Sequence, residues 1–362
     1  MQKNILFKGK IILKALIFFL LFGRAYAQTC DTSLVKDINS GSGGSNPSWV
    51  NVLNNKLYFQ AGWLGDTELW ESDGTSVGTV LLKNINTGFL AGSSVAFLTF
   101  FNNKLYFQAN DGTNGLELWV SDGTDAGTSM VKDINPGSAS SSPGSFMVFN
   151  SRLYFSADNG TNGAELWESD GTVAGTMLLK DIRTGPSGSG TAYLTLYNSK
   201  FYFCSNAGTN GVELWMSDGT VAGTVLVKDI YPGIGGSNPG GFTAFNGKMY
   251  FTANDGINGY ELWESDGTVA GTLMTKDINP GSPGSSPGFL TVFDNKLFFK
   301  ATNGVKGAEL WSYDCIAAPA AEIIVKGNNT EIVDGDTTSS VTDSTDFGNI
   351  CNSGSRSVKY SL

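Results

Sequence analysis

Glu-Leu-Trp recurs six times in this chain, beginning at residues 68, 117, 165, 213, 261 and 309, with a spacing of 49 residues once and 48 thereafter. A fixed period of this length means one supersecondary unit built repeatedly, each copy burying its apolar faces against its neighbours. Around each copy runs a fuller consensus. An aromatic pair follows Lys or Arg, as in Lys104-Leu105-Tyr106-Phe107, and then come Asn-Asp-Gly-Thr-Asn-Gly, Glu-Leu-Trp, Ser-Asp-Gly-Thr, Gly-Thr and Val-Lys-Asp-Ile.

Residues 242–278 show how one unit divides into strands. Asn246-Gly247 between two apolar runs is a hairpin signal, so Phe242 to Asn246 turns into Lys248-Met249-Tyr250-Phe251. Asn254-Asp255-Gly256 is loop composition, Tyr260 to Glu264 a third strand, Asp266-Gly267-Thr268 a turn, and Thr272 to Ile278 a fourth strand. Both faces of these strands are apolar, the pattern of a blade packed on two neighbours. Nine of the ten prolines fall in the Gly- and Ser-rich linkers between units, away from the ladders. The reading is all-β: a six-bladed β-propeller of four-stranded antiparallel blades, with strand one lining the central channel.

The two ends of the repeat region complement each other. Ser33-Leu34-Val35-Lys36-Asp37-Ile38 reads as a fourth strand without its blade, and the sixth unit stops at Trp311-Ser312-Tyr313-Asp314 without a fourth strand. The N-terminal strand is therefore expected to complete the last blade. In that alignment Cys315 takes the place of Gly267 and Cys30 that of Ala270, the ends of one tight turn and so within disulfide reach. A Cys30–Cys315 disulfide is expected to replace the covalent turn of the other blades. Cys204 lies in a strand and reads as a buried thiol, and Cys351 falls in the tail.

Lys3, Lys8, Lys10 and Lys14, an apolar run from Ala15 to Phe22, and Ala25-Tyr26-Ala27 make the pattern of a secretory signal peptide over residues 1–27. The apolar run is too short for a membrane span. The expected product starts at Gln28 and is secreted or held at the cell surface as a monomer. Loss of Arg24 and the four lysines takes the formal charge from −10 to −15. An acidic surface repels phosphate backbones, which argues against a nucleic-acid partner. The chain has no histidine, so Ser-His-Asp and Cys-His catalysis and histidine-bearing metal sites are excluded.

Six Glu–Lys pairs face one another in a regular register: Glu68 with Lys83, Glu117 with Lys132, Glu165 with Lys180, Glu213 with Lys228, Glu261 with Lys276 and Glu309 with Lys36. Cross-strand ion pairs are expected there, since a catalytic carboxylate is needed once and not six times. Each Trp is expected to face Leu34, Leu81, Met130, Leu178, Leu226 or Met274, as packing within a blade. The Asp-Gly-Thr triplets are turn chemistry. The loops holding Asp111, Asp158 and Asp255 could gather oxygens around calcium, although they lack the alternating acids and closing Glu of an EF-hand.

The combined Glu-Leu-Trp, Ser-Asp-Gly-Thr and Gly-Thr pattern over residues 33–314 resembles the repeat of bacterial ELWxxDGT-repeat proteins. That resemblance implies an exported, propeller-like module of large envelope or secreted proteins, with no catalytic residues to carry over. The segment from Glu322-Ile323-Ile324-Val325 through Asp334-Gly335-Asp336 to Thr345-Asp346-Phe347-Gly348 resembles the start of a choice-of-anchor D domain, an Ig-like fold related to Hydin-type modules. The expected organisation is a propeller over 28–315, then a linker and an incomplete, poorly ordered Ig-like segment over 316–362.

Strand direction puts the linkers and the loops between strands two and three on one face of the disc, where departures from the consensus concentrate. Trp63 replaces a polar loop residue in unit one, and Phe89, Arg183 and Tyr231 stand in the linkers. This is the composition of a shallow carbohydrate or peptide site. The expected function is a cell-surface binding or adhesion module for a glycan or protein, not an enzyme. A structural spacer would show no ligand, and a carboxylate-based glycan hydrolase or lyase would need paired acids at the channel mouth, where strand one offers only Asp294.

Overall fold

The computed structural model describes residues 31–63, 65–89 and 91–314, together with the two-residue strands Lys326–Gly327 and Thr330–Glu331. It is an all-β, six-bladed propeller. Blade one consists of Ser48–Leu53, Lys56–Trp63, Asp66–Ser72 and Val80–Lys83, paired antiparallel in sequence order. Four further blades repeat that order, and the sixth has three strands: Gly288–Phe293, Lys296–Thr302 and Ala308–Tyr313. Both central residues of the first hairpin take positive φ, Asn54 at 49° and Asn55 at 63°, and the pairs of Asn, Ser, Asp or Gly in the other hairpins do the same. Such residues tolerate the left-handed region, which the primed turn of a tight hairpin requires.

The core is distributed between blades. Leu105, Phe107 and Trp119 of blade two pack on Leu53, Tyr58 and Leu69 of blade one, and four further clusters join successive blades as far as the sixth. The tryptophans face the residues expected: Trp70 opposite Leu81, Trp119 opposite Met130, Trp167 opposite Leu178, Trp215 opposite Leu226 and Trp263 opposite Met274.

The expected Glu–Lys ion pairs are not formed. In each of the five four-stranded blades a β-bulge interrupts strand four, so that Lys83, Lys132, Lys180, Lys228 and Lys276 fall opposite Leu69, Leu118, Leu166, Leu214 and Leu262. A one-residue slip in register sends a side chain to the other face of the sheet. Lys83, Lys132, Lys180 and Lys228 reach instead to the turn of the next blade. Lys132 Nζ donates to Thr176 O at 2.7 Å and Lys180 Nζ to Thr224 O at 2.6 Å, while Lys83 pairs with Asp125 at 3.1 Å.

The freed carboxylates organise the linkers. Glu165 accepts the Ile182 and Arg183 backbone N–H groups at 2.9 and 3.2 Å and the Ser189 hydroxyl at 2.7 Å. Glu68, Glu117, Glu213 and Glu261 make equivalent sets. Burial pushes the carboxyls of Glu68, Glu117, Glu165 and Glu213 above the ordinary glutamate range, against the opposing pull of these hydrogen bonds.

The seam between blades six and one differs from the other five junctions. Residues 33–38 make no strand pairing with Ala308–Tyr313, so the expected completion of the last blade is absent among the described residues. The segment is docked on blade one instead, where Lys36 Nζ donates to Thr79 O at 2.7 Å and Gly62 N–H to Ser45 O at 3.0 Å. These are the bonds each blade makes with the strand and linker before it. On the other side of the seam Glu309 is exposed and Leu310 is 76% exposed, because no fourth strand covers them. Cys30, Cys315 and Cys351, the signal segment and most of the tail lie outside the described residues. Cys204 is a free thiol, buried as expected, and burial pushes its pKa up to about 11.

Candidate binding site

Strand one of every blade carries a bulge at its entrance. In blade one Ser48 pairs with Gln60 and Asn51 with Tyr58, leaving two residues on strand one opposite a single one on strand two. The bulge residue takes a left-handed conformation in all six blades: Trp49 at φ 55°, Phe97 at 60°, Ser145 at 56°, Tyr193 at 60°, Gly241 at 67° and Phe289 at 57°. Four of these are aromatic. A bulky residue at positive φ is a steric outlier that costs on the order of 1–3 kcal/mol, and such strain gathers where side-chain direction matters.

The bulge residues lie at the mouth of the channel. Strand one is the innermost strand, and the strand-one segments of neighbouring blades touch: Asn51 Nδ2 donates to Leu98 O at 2.9 Å and Thr243 Oγ1 to Leu290 O at 3.2 Å. The rings differ in how they are used. Trp49 and Phe97 pack against each other with centroids 4.6 Å apart and their planes tilted by 47°. Tyr193 and Phe289 remain 64% and 83% exposed, with Gly241 at the intervening position. A cavity of about 420 Å³ opens there, lined by Tyr193, Leu194, Gly241, Phe242, Phe289 and Leu290 with two threonines.

The site residues expected from sequence are distributed over the same face, and the structure separates them into two groups. Trp63 is 40% exposed and Phe89 95% exposed. Arg183 and Tyr231 are half-buried, each lying over a glycine of the next blade's loop: Arg183 over Gly208, and Tyr231 over Gly256. Asn86, Asn135 and Asn279 occupy the same place over Gly112, Gly160 and Gly304. Arg183 and Tyr231 thus fill an interlock between blades that asparagine fills elsewhere. The aromatic ring of the channel was missed, although its signal was present: Trp49, Phe97, Tyr193 and Phe289 stand at multiples of 48 residues from one another.

The calcium candidates are engaged in their own loops. Asp111 Oδ1 accepts the Thr113 and Asn114 N–H groups, both at 2.8 Å, and its Oδ2 accepts the Asn114 amide at 2.7 Å. Asp255 does the same with Ile257 and Asn258, and Asp158 accepts Gly160 N–H at 2.7 Å. No group of three or more acidic or cysteine side chains converges on a metal-sized site among the described residues.

No family model and no curated protein matches the chain. Among solved structures it is similar to a puromycin hydrolase, with 11% identity and a TM-score of 0.42 over 75% of this chain and 52% of that one. A second similarity is to the β-propeller domain of the Trilobed protease from Pyrococcus furiosus, with 11% identity and a TM-score of 0.41 over 75% of this chain and 82% of that one. A third is to TolB from Acinetobacter baumannii, with 12% identity and a TM-score of 0.38 over 72% and 66%. The chain spans about half the length of the puromycin hydrolases it matches, 43% of one and 52% of another.

Proposed function

We propose that this chain is an exported surface module that binds a glycan at the channel mouth of its propeller. The observation that carries the reading is the ring of bulge positions, which holds Trp49, Phe97, Tyr193 and Phe289 in a strained conformation with two of the rings largely free. A flat aromatic face left in water at the rim of a concavity is suited to stacking on a sugar ring. Trp63 and Phe89 add exposed aromatic surface to the same face of the disc. The cavity between Tyr193 and Phe289 has no carboxylate among its lining residues, which favours binding over hydrolysis at that spot.

The test is a glycan array probed with the full chain, with and without calcium, beside the variants Tyr193→Ser and Trp63→Ala. Serine is already present at the equivalent position in blade three as Ser145, also at positive φ, so the first variant keeps the fold. Binding lost with Tyr193→Ser supports the channel mouth. Binding lost only with Trp63→Ala moves the site to the outer rim, and silence of the native chain across the array overturns the proposal.

A further inference from the structure

Six repeats do not give this propeller six equivalent sites, and, resting on the glycan reading above, we infer that the cavity at Gly241 is its one sugar subsite and takes a neutral hexopyranose. Gly241 stands where four other blades carry an aromatic ring, so its missing side chain leaves the gap between Tyr193 and Phe289. On the other half of the mouth the rings are turned to one another. Phe97 packs against Trp49 at 4.6 Å and edge-on against Phe146 at 6.4 Å, while Ser145 supplies no ring. The gap, at about 420 Å³, falls within the ~300–1,000 Å³ range of small-molecule sites.

The lining decides the class of sugar, because it holds no Asp, Glu, Lys or Arg. Lys300 lies 5.7 Å from the Phe289 centroid, but its register opposite Leu310 turns it to the seam side of blade six, outside the lining. The two lining hydroxyls are already engaged as donors: Thr195 Oγ1 donates to Tyr193 O at 3.1 Å and Thr243 Oγ1 to Leu290 O at 3.2 Å. A hydroxyl whose proton is engaged offers a ligand only its lone pairs. A neutral pyranose supplies O–H donors for those lone pairs and a C–H face for the rings. A carboxylate or sulfate brings acceptors alone, into a chain whose formal charge is −10. An amino sugar finds no carboxylate in the lining to pair with its ammonium. Charged sugars thus gain the stacking and lose the polar contacts.

The test titrates the full chain by calorimetry with three neutral tetrasaccharides, of glucose, galactose and mannose, and with tetragalacturonate and tetraglucosamine. At least one neutral sugar is expected to bind at a single site per chain, roughly tenfold or more tighter than either charged one, with an affinity that salt leaves unchanged. Gly241→Phe should abolish that binding and leave the melting temperature near native. An aromatic ring holds the same left-handed conformation in four other blades, and a Cβ at Gly241 would meet nothing closer than Leu290 at 4.0 Å. Thr195→Val removes an acceptor and should weaken binding several-fold, whereas Trp49→Ser, on the packed half, should leave it unchanged. A charged tetrasaccharide bound as tightly as the best neutral one, more than one site per chain, or neutral binding untouched by Gly241→Phe overturns the inference. If glycans of another kind bind and none of the three neutral tetrasaccharides does, this inference falls and the glycan-binding reading stands. If no glycan binds, both fall.

Discussion

The Ser189 hydroxyl donates to Glu165 Oε2 across 2.7 Å, and both side chains are buried. This bond carries the chain from blade three to blade four, because the Ser189 carbonyl in turn accepts Asn206 N–H at 2.9 Å. The repeated glutamate is therefore the anchor of each linker. Glu165→Ala would leave several buried donors unsatisfied and is expected to destabilise the protein by about 2–4 kcal/mol in urea unfolding. Lys180→Met should cost less, about 1 kcal/mol, since it removes partly exposed bonds to the next blade. Because the two side chains share no partner, the double variant should be additive within about 0.5 kcal/mol. A larger coupling would restore the cross-strand ion pair.

The pH dependence of stability follows from two repeated carboxyl groups with opposite shifts. Burial raises Glu68, Glu117, Glu165 and Glu213 above their ordinary 4.5, so the folded state holds protons that the unfolded state has released. Their contribution is fully present below that value and is lost as pH rises through the folded pKa. The turn aspartates Asp73, Asp122, Asp170, Asp218 and Asp266 are lowered below 3.8, first by the hydroxyl of the threonine two residues on. Their contribution is present above 3.8 and lost as pH falls through the folded values, and solvent exposure keeps it small. Thermal melting followed by circular dichroism should therefore give a maximum in mild acid and a decline toward neutrality, with a shallower decline in Glu165→Gln. A midpoint that rises from mild acid to neutral pH would contradict this.

In blades one to four a tyrosine lies over the turn glycine of the next blade: Tyr58 over Gly123, Tyr106 over Gly171, Tyr154 over Gly219 and Tyr202 over Gly267. A Cβ at Gly171 would fall on the Tyr106 hydroxyl, and Gly171 has φ 93°. Gly74, the same residue in blade one, has φ 89° with nothing within 4 Å of such a Cβ. Gly74→Ala should cost only the backbone strain, about 1 kcal/mol, whereas Gly171→Ala adds the clash and should cost about 2–4 kcal/mol. Equal midpoint shifts on chemical denaturation would mean that blade six covers Gly74 in solution.

The seam allows a matching test on its other side. Lys36 and Ser45 already hold on blade one the positions that strand four and its linker hold elsewhere, and Glu309 remains exposed across the gap. Closing the ring would bring the Ile38, Asn39 and Ser45 N–H groups to Glu309, the set that Glu261 takes from Ile278, Asn279 and Ser285. Glu309→Ala is then expected to cost as much as Glu261→Ala, about 2–4 kcal/mol in urea. A loss below about 0.5 kcal/mol would leave the seam open.

Much of the architecture is legible in the chain because it is local. Hairpin pairs, Asp-Gly-Thr turns, linker prolines and the 48-residue period are written in neighbouring residues, and so is the facing of Trp119 with Met130. The bulge in strand four is not. Leu82, Val131, Leu179, Val227 and Thr275 are the unpaired residues, and nothing in their chemistry distinguishes them from ordinary strand residues. That slip undid the ion pairs while leaving every glutamate and lysine where the period had placed it.

The sequence by itself determined how many blades there are, how each divides into strands and turns, and which residues recur. Tertiary structure alone decided what the recurring residues do, because their partners belong to other repeats: Lys180 to the turn of blade four, Tyr106 to a glycine of blade three, Arg183 to the loop beside Gly208. It also decided that Gly241 opens a cavity between Tyr193 and Phe289. A missing side chain becomes a site only when rings from the blades on either side line the space it leaves.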